Sequence, residues 1–259
     1  MTGFVCDAVG FSYPTKDGPI TALKDISFAA GGHEIVSVVG PSGCGKTTLL
    51  KILAGLLEPT SGSIRFSPGS NGTRPRRALV FQDHGVFPWL TVMDNVAFGL
   101  EMQGMGASER RERARHFLER VGLEDFANRH PHELSVGMRQ RVGIARAFVS
   151  DFPILLLDEP FGALDAQTRL LLQEELLQIW QGERKLAVFI THDIEEAILL
   201  GDRVVVMSGR PGRILEEIRI PLPRPRALAA PDRPEVTEVK WHIWHHLEKE
   251  ARRQLSIPE

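Results

Sequence analysis

A mixed α/β fold is what the sequence predicts, on three observations. A β-branched run from Glu34 to Val39 ends in glycines at 40, 43 and 45, and helical apolar spacing follows from Lys46 to Leu56. Short apolar runs at Ile154 to Leu157 and Ala187 to Thr191 flank a helical stretch from Ala166 to Trp180. That alternation builds parallel strands buried on both faces. Between these two groups, residues from about Val92 to Val149 keep a helical pattern, enough for a lobe of its own.

Taken in order, residues 1 to about 35 alternate apolar positions with Gly and Pro and read as short antiparallel strands. The basic, turn-rich stretch SPGSNGTRPRR at 67 to 77 is a loop, and Ala78 to Phe81 resumes as a strand. The charged run Glu109 to Arg120 reads as the solvated face of a helix. Asp202 to Met207 and Arg213 to Ile220 read as closing strands. Beyond PLPRPR at 221 to 226 the chain is polar, with one short helix expected. The expected core is therefore residues 1 to 86 and 151 to 222, with a helical insert at 87 to 150 and a tail at 223 to 259.

Composition narrows the function classes. In 259 residues, 42% are hydrophobic, 25% are charged, and the formal net charge is -2. No global basic excess points to nucleic acid or to an anionic membrane surface, and no nucleic-acid partner is expected. No stretch approaches the roughly 20 apolar residues that a membrane span needs, so any membrane role is expected to be peripheral. No secretory signal is visible at Met1 to Gly10. Of the two cysteines, Cys44 falls inside the glycine loop, where a crosslink would obstruct, and a reduced compartment is the simpler reading.

Gly40-Pro41-Ser42-Gly43-Cys44-Gly45-Lys46-Thr47 matches GxxxxGK[ST] between a strand and a helix. Glycines let backbone amides turn inward around a phosphate, and the positive end of the following helix points there. Lys46 can reach β- and γ-phosphates, and the Thr47 hydroxyl can ligate Mg²⁺. Ile154 to Leu157 leads into Asp158 and Glu159. Adjacent positions on a strand face opposite ways, so Asp158 can serve the Mg²⁺ shell while Glu159 orients and deprotonates water.

Further motifs follow in a fixed order. Gln82 ends a strand, Leu134-Ser135-Val136-Gly137-Met138-Arg139-Gln140-Arg141 opens a helix, Ala163-Leu164-Asp165 follows the acidic pair, and His192 follows a strand. With the phosphate loop, this set resembles the ATP-binding-cassette (ABC) ATPases over roughly residues 1 to 220, and it implies a RecA-like core. The resemblance implies that Gly40 to Thr48, including Thr48, wrap the phosphates of ATP, and that Tyr13 stacks on adenine. Gln82 would reach Mg²⁺ and the attacking water, and His192 the γ-phosphate. Ser135 and Gly137 would contact ATP held by a second copy in a head-to-tail homodimer, and Asp165 would bridge the two copies. Val136 departs from the pattern, standing where the family has a glycine of LSGGQ. Either the backbone there suits a β-branched residue, or sandwiching is weakened.

Gln82 through Gly99, with Gly209-Arg-Pro-Gly-Arg213-Ile, is similar to the importer branch that takes up nitrate, sulfonates, taurine and bicarbonate. That branch implies two permease subunits, an extracytoplasmic solute-binding protein and a place on the cytoplasmic face of the membrane. Phe87-Pro88-Trp89 would then dock a permease helix, unless Trp89 packs the two lobes together. Rival readings are a soluble ABC ATPase of translation or DNA repair, an exporter ATPase, and a non-hydrolysing regulatory subunit. The chain lacks the second cassette or long coiled coil of the first, Phe-Pro-Trp opposes the second, and intact Lys46, Asp158, Glu159 and His192 oppose the third. No carboxylate or cysteine spacing around Trp241-His242-Ile-Trp244-His245-His246 supports a defined metal site, so a docked amphipathic tail helix is expected there. Arg74, Arg76 and Arg77 read as a solvated loop cluster.

Overall fold

In the computed structural model, the described residues are 2–67, 75–81, 85–162, 164–183, 185–224, 226 and 234–255. Gln82, Ala163 and Arg74 lie outside them. The chain divides into two compact units, residues 1–75 with 185–259, and residues 76–184.

The first unit holds two sheets. β1 (Gly3–Tyr13) lies between β2 (Ile20–Gly31) and β4 (Ser61–Phe66), antiparallel to both. These strands are longer than the short ones the turn residues suggest, because Ala8 takes a left-handed φ of 47° and register shifts carry the pairing onward. In the second sheet, β3 (Ile35–Val39) lies parallel between β7 (Leu186–Ile190) and β8 (Arg203–Met207). β9 (Ile214–Arg219) pairs antiparallel with β8. Every residue of β3 and β7 is buried, as the unbroken apolar runs require.

Helices α1 (Lys46–Ala54) and α6 (Ile194–Leu200) complete this unit, with a 22-residue α7 (Pro234–Leu255) where one short helix was expected. Ile243 and Val236 of α7 are buried in a cluster with Val204, Val206 and Ile198. The Glu250 carboxylate also accepts the Gly209 amide at 2.7 Å. Full burial of two branched side chains stabilises docking by about 3–6 kcal/mol before ordering entropy is subtracted, enough to order an otherwise polar segment. Just ahead of it, Arg226 donates to the carbonyls of Ile198, Leu199 and Leu222. Its burial, with Arg224 nearby, pushes the guanidinium down to about 10.

The second unit pairs β5 (Arg77–Val80) parallel with β6 (Ile154–Asp158). It carries helices α2 (Val92–Glu101), α3 (Ala107–Arg120), α4 (Val136–Val149) and α5 (Ala166–Gly182). Val92, Val96, Leu100, Leu118, Val142 and Val149 form the core of the helical lobe. On α3 only Ala114 and Leu118 are buried, so the charged run is a solvated face.

Candidate active site

The phosphate loop is built by what its residues lack. Gly43 and Gly45 have φ of 75° and 105°, and a Cβ on Gly45 would meet Ala22 O at 2.9 Å and Leu23 Cδ2 at 2.7 Å. Gly45 opens α1 without a side-chain cap, and no acid stands in the first turn. Helices α2, α4, α5 and α6 are instead capped by Thr91, Ser135, Asp165 and Asp193. No capping side chain or carboxylate therefore neutralises the positive end of α1, as a site for an external anion requires. Lys46 is buried, and its Nζ donates to Gly40 O at 2.7 Å and Pro41 O at 3.0 Å, which positions the ammonium against the loop. Burial raises the Cys44 thiol above its ordinary value, and the charge and hydrogen bonds of Lys46 oppose that shift only in part.

The same unit gathers two more predicted residues. Tyr13 shares a 3.0 Å hydrogen bond with Thr48 Oγ1 in the first turn of α1, and its ring meets Phe11 edge-on at 4.8 Å. His192 is exposed and shares a cavity of about 480 Å³ with Gly40, Pro41 and Ser42. Trp244, Leu247 and Glu248 of α7 form the other wall. Nothing in the tail's own sequence signals that placement.

In the second unit, Asp158 ends β6 with 5% exposure. Glu159 follows in a left-handed conformation, φ 45°, which costs a non-glycine residue about 1–2 kcal/mol. Its carbonyl accepts from Gly162 N at 3.1 Å and from Gln140 Nε2 at 3.3 Å. Two donors on one carbonyl hold the peptide in that turn. Ser135 caps α4, its Oγ accepting from Met138 N at 3.2 Å. Val136 is the first residue of that right-handed helix and is 44% exposed, so a β-branched residue suits the backbone there. A Cβ on Gly137 would meet Leu164 Cδ2 at 2.8 Å, which accounts for the glycine retained at 137. Asp165 caps α5 by accepting from Thr168 N at 3.0 Å. This hydrogen bond, with others from the same turn, holds the carboxyl below its ordinary range.

The family description "ABC transporter" matches residues 23–162, more than half of the chain. The chain belongs to the ABC transporter family. An uncharacterized ABC transporter ATP-binding protein of Methanocaldococcus jannaschii is 51% identical over 208 residues, covering 80% of this chain and 78% of that protein. A taurine import ATP-binding protein of Burkholderia thailandensis is 48% identical over 217 residues, covering 83% of each chain. Among solved structures, a dimeric ATP-binding cassette in a post-hydrolysis state with ADP and Pi superposes with a TM-score of 0.76 at 33% identity. That match covers 84% of this chain and 98% of the cassette. The protein is an ATPase with a RecA-like core, an N-terminal antiparallel sheet and an inserted helical lobe.

One more surface of this ABC ATPase stands out. Trp89 is 71% exposed and lies 5.5 Å from the Phe87 ring. Buried Asn95 fixes the segment: its Nδ2 donates to the carbonyls of Phe87, Leu90 and Thr91, and its Oδ1 accepts from Phe87 N. Beside it, Phe87, Phe98, Met102, Arg146 and Phe152 line a groove of about 460 Å³. The Arg146 guanidinium sits 5.1 Å over the Phe87 ring, and burial lowers its pKa. Asn95 and Gln140 fall inside stretches that carry the family resemblance, but sequence reading gave neither a role of its own. The available signal was an amide one helical turn from apolar residues, Val92 and Phe98 about Asn95 and Ile144 after Gln140.

Proposed function

We propose that this chain is the ATP-hydrolysing subunit of an importer for a small sulfonate or similar anion, taurine being the lead candidate. Identity of 45–48% to taurine import ATP-binding proteins over 83–86% of the chain carries that reading. Importers of nitrate, bicarbonate or another small nutrient are the alternatives.

In this reading the amides at the start of α1, with Lys46, bind and neutralise the phosphates of ATP. Ser42, Gly43, Cys44 and Gly45 line the approach, and Tyr13 stacks on adenine from its place beside Thr48. The Thr47 hydroxyl and the Asp158 carboxylate, with Gln82, are the hard oxygen donors that Mg²⁺ requires. When bound, Mg²⁺ would neutralise phosphate charge. Glu159 accepts a proton from the attacking water, and the left-handed turn sets where its carboxylate points. His192 reads the γ-phosphate. Ser135 and Gly137, at the amide end of α4, meet ATP on a second copy in a head-to-tail homodimer, and Asp165 bridges the copies. The Phe87–Trp89 surface of each copy receives a short helix from one of two permease subunits, and the ATPase accordingly works at the cytoplasmic face of the membrane. A solute-binding protein on the far side delivers the solute.

Affinity purification of this chain from native membranes, with mass spectrometry of what accompanies it, tests the proposal. Recovery of a multi-spanning permease, with loss of radiolabelled taurine uptake when the chain is deleted, is expected. Ribosomal or DNA-repair proteins without a permease would overturn it, and a permease with intact taurine uptake would shift the solute.

A further inference from the structure

We propose that Glu216, His242 and His246 form a binding site for one Zn²⁺ ion, which clips the C-terminal helix to the last strand of the sheet. The two imidazoles sit four residues apart on α7, the spacing that sets two ring nitrogens on one face of a helix. Glu216 comes from β9, and its Oε2 lies 2.9 Å from His242 Nε2 and 2.7 Å from His246 Nε2. All three ligand atoms lie within 4.8 Å of one another, and the imidazole rings meet at 81° with centroids 5.3 Å apart. Both rings thus present the same nitrogen to one carboxylate oxygen.

Zinc–ligand bonds of roughly 2.0–2.2 Å in a tetrahedron put ligand atoms about 3.3–3.5 Å apart. The two separations from Glu216, 2.9 and 2.7 Å, lie about half an ångström short of that value, within the reach of side-chain rotation. Two imidazoles and one carboxylate suit Zn²⁺ and its neighbours in the transition series and are poor ligands for Mg²⁺, which prefers an oxygen shell. The side chains of His242, His246 and Glu216 are 52%, 32% and 39% exposed, so an ion reaches them from solvent and water can complete its shell. Burial pulls the Glu216 carboxyl upward, but the hydrogen bonds and charge of the two histidines outweigh that and hold it below its ordinary value. The neighbouring His245 turns elsewhere, its Nδ1 bonded to Trp241 O at 2.6 Å.

The site bears on the nucleotide because α7 also walls the cavity shared by Gly40, Pro41, Ser42 and His192. An ion tying α7 to β9 disfavours detachment of that wall. Metal supply and the shape of the phosphate-loop cavity are thereby linked.

The test is titration of the purified, chelator-stripped full chain with ZnCl₂, in competition with a chromophoric chelator and in excess MgCl₂. One equivalent bound with micromolar affinity, and weakened about tenfold or more in His246→Ala and in Glu216→Gln, is the expected result. Urea midpoints of these variants without metal show whether they remain folded. Should either variant unfold, quenching in the unaltered chain decides. Trp241 and Trp244 flank the site on α7, so Co²⁺ should quench tryptophan fluorescence and Zn²⁺ should reverse it. Absence of micromolar binding, binding that survives in folded variants, or no quenching would each overturn the proposal.

Discussion

Gln140→Met separates a residue that positions the turn carrying Glu159 from one that merely fills space. Gln140 is 2% exposed, and its Nε2 donates to the Glu159 carbonyl at 3.3 Å. Its Oε1 is buried and has no hydrogen-bond partner among the described residues. Methionine keeps the length and removes both polar atoms. Loss of the hydrogen bond costs about 1 kcal/mol, and removal of an unsatisfied buried acceptor returns about 1–3 kcal/mol. Stability should therefore hold or rise slightly. Activity should not hold. The left-handed Glu159 peptide keeps the Gly162 amide but loses about 1 kcal/mol of restraint, which corresponds to about a fivefold fall in kcat. The KM for ATP should change little, because Gln140 supports the turn that carries Glu159. Urea unfolding with steady-state ATPase assays measures both quantities. Unchanged kcat at unchanged stability would refute the positioning role, and a loss of several kcal/mol would make Gln140 a structural residue instead.

Glu159→Gln should bind ATP but accumulate a closed dimer, seen by size-exclusion chromatography with nucleotide, and undiminished turnover would remove Glu159 from the base role. Val136→Gly should leave ATPase rate unchanged or raised, since the position opens a helix with its side chain largely in solvent; a large loss would show that valine has a specific task. Trp89→Ala should leave the isolated ATPase intact and weaken permease association by about thirtyfold or more, as loss of an aromatic anchor does, measured by co-purification. Asp165 has a folded-state pKa held below its ordinary value of 3.8, mainly by the Thr168 amide. Its contribution is therefore complete above that value and lost as pH falls through the lower, folded one. Asp165→Asn should flatten the acid limb of a stability-versus-pH curve, and an unchanged limb would count against the cap.

What was legible in the chain was what local chemistry fixes. Glycines before Lys46 forecast the loop, the Ile154–Leu157 run forecast a buried strand, and Asp158 with Glu159 marked its end. Less legible were features set by partners distant in sequence. Glu216 and His242 are 26 residues apart, and nothing in either neighbourhood announces the other. The length of α7 follows from the buried Val236 and Ile243, whereas its polar composition argues for a short helix. The left-handed φ of Glu159 was hidden too, because a glutamate does not advertise a conformation that its own side chain disfavours.

The thiol inside the phosphate loop gives this chain a built-in clock. Cys44 is fully buried and its pKa is raised, and Cys6, the other cysteine, is buried with its thiol pushed up to about 12. A neutral, enclosed thiol reacts slowly with alkylating reagents, so labelling of Cys44 proceeds only through moments when the loop loosens. Its rate therefore counts those moments, and an occupant that tightens the loop should slow the count without any introduced probe.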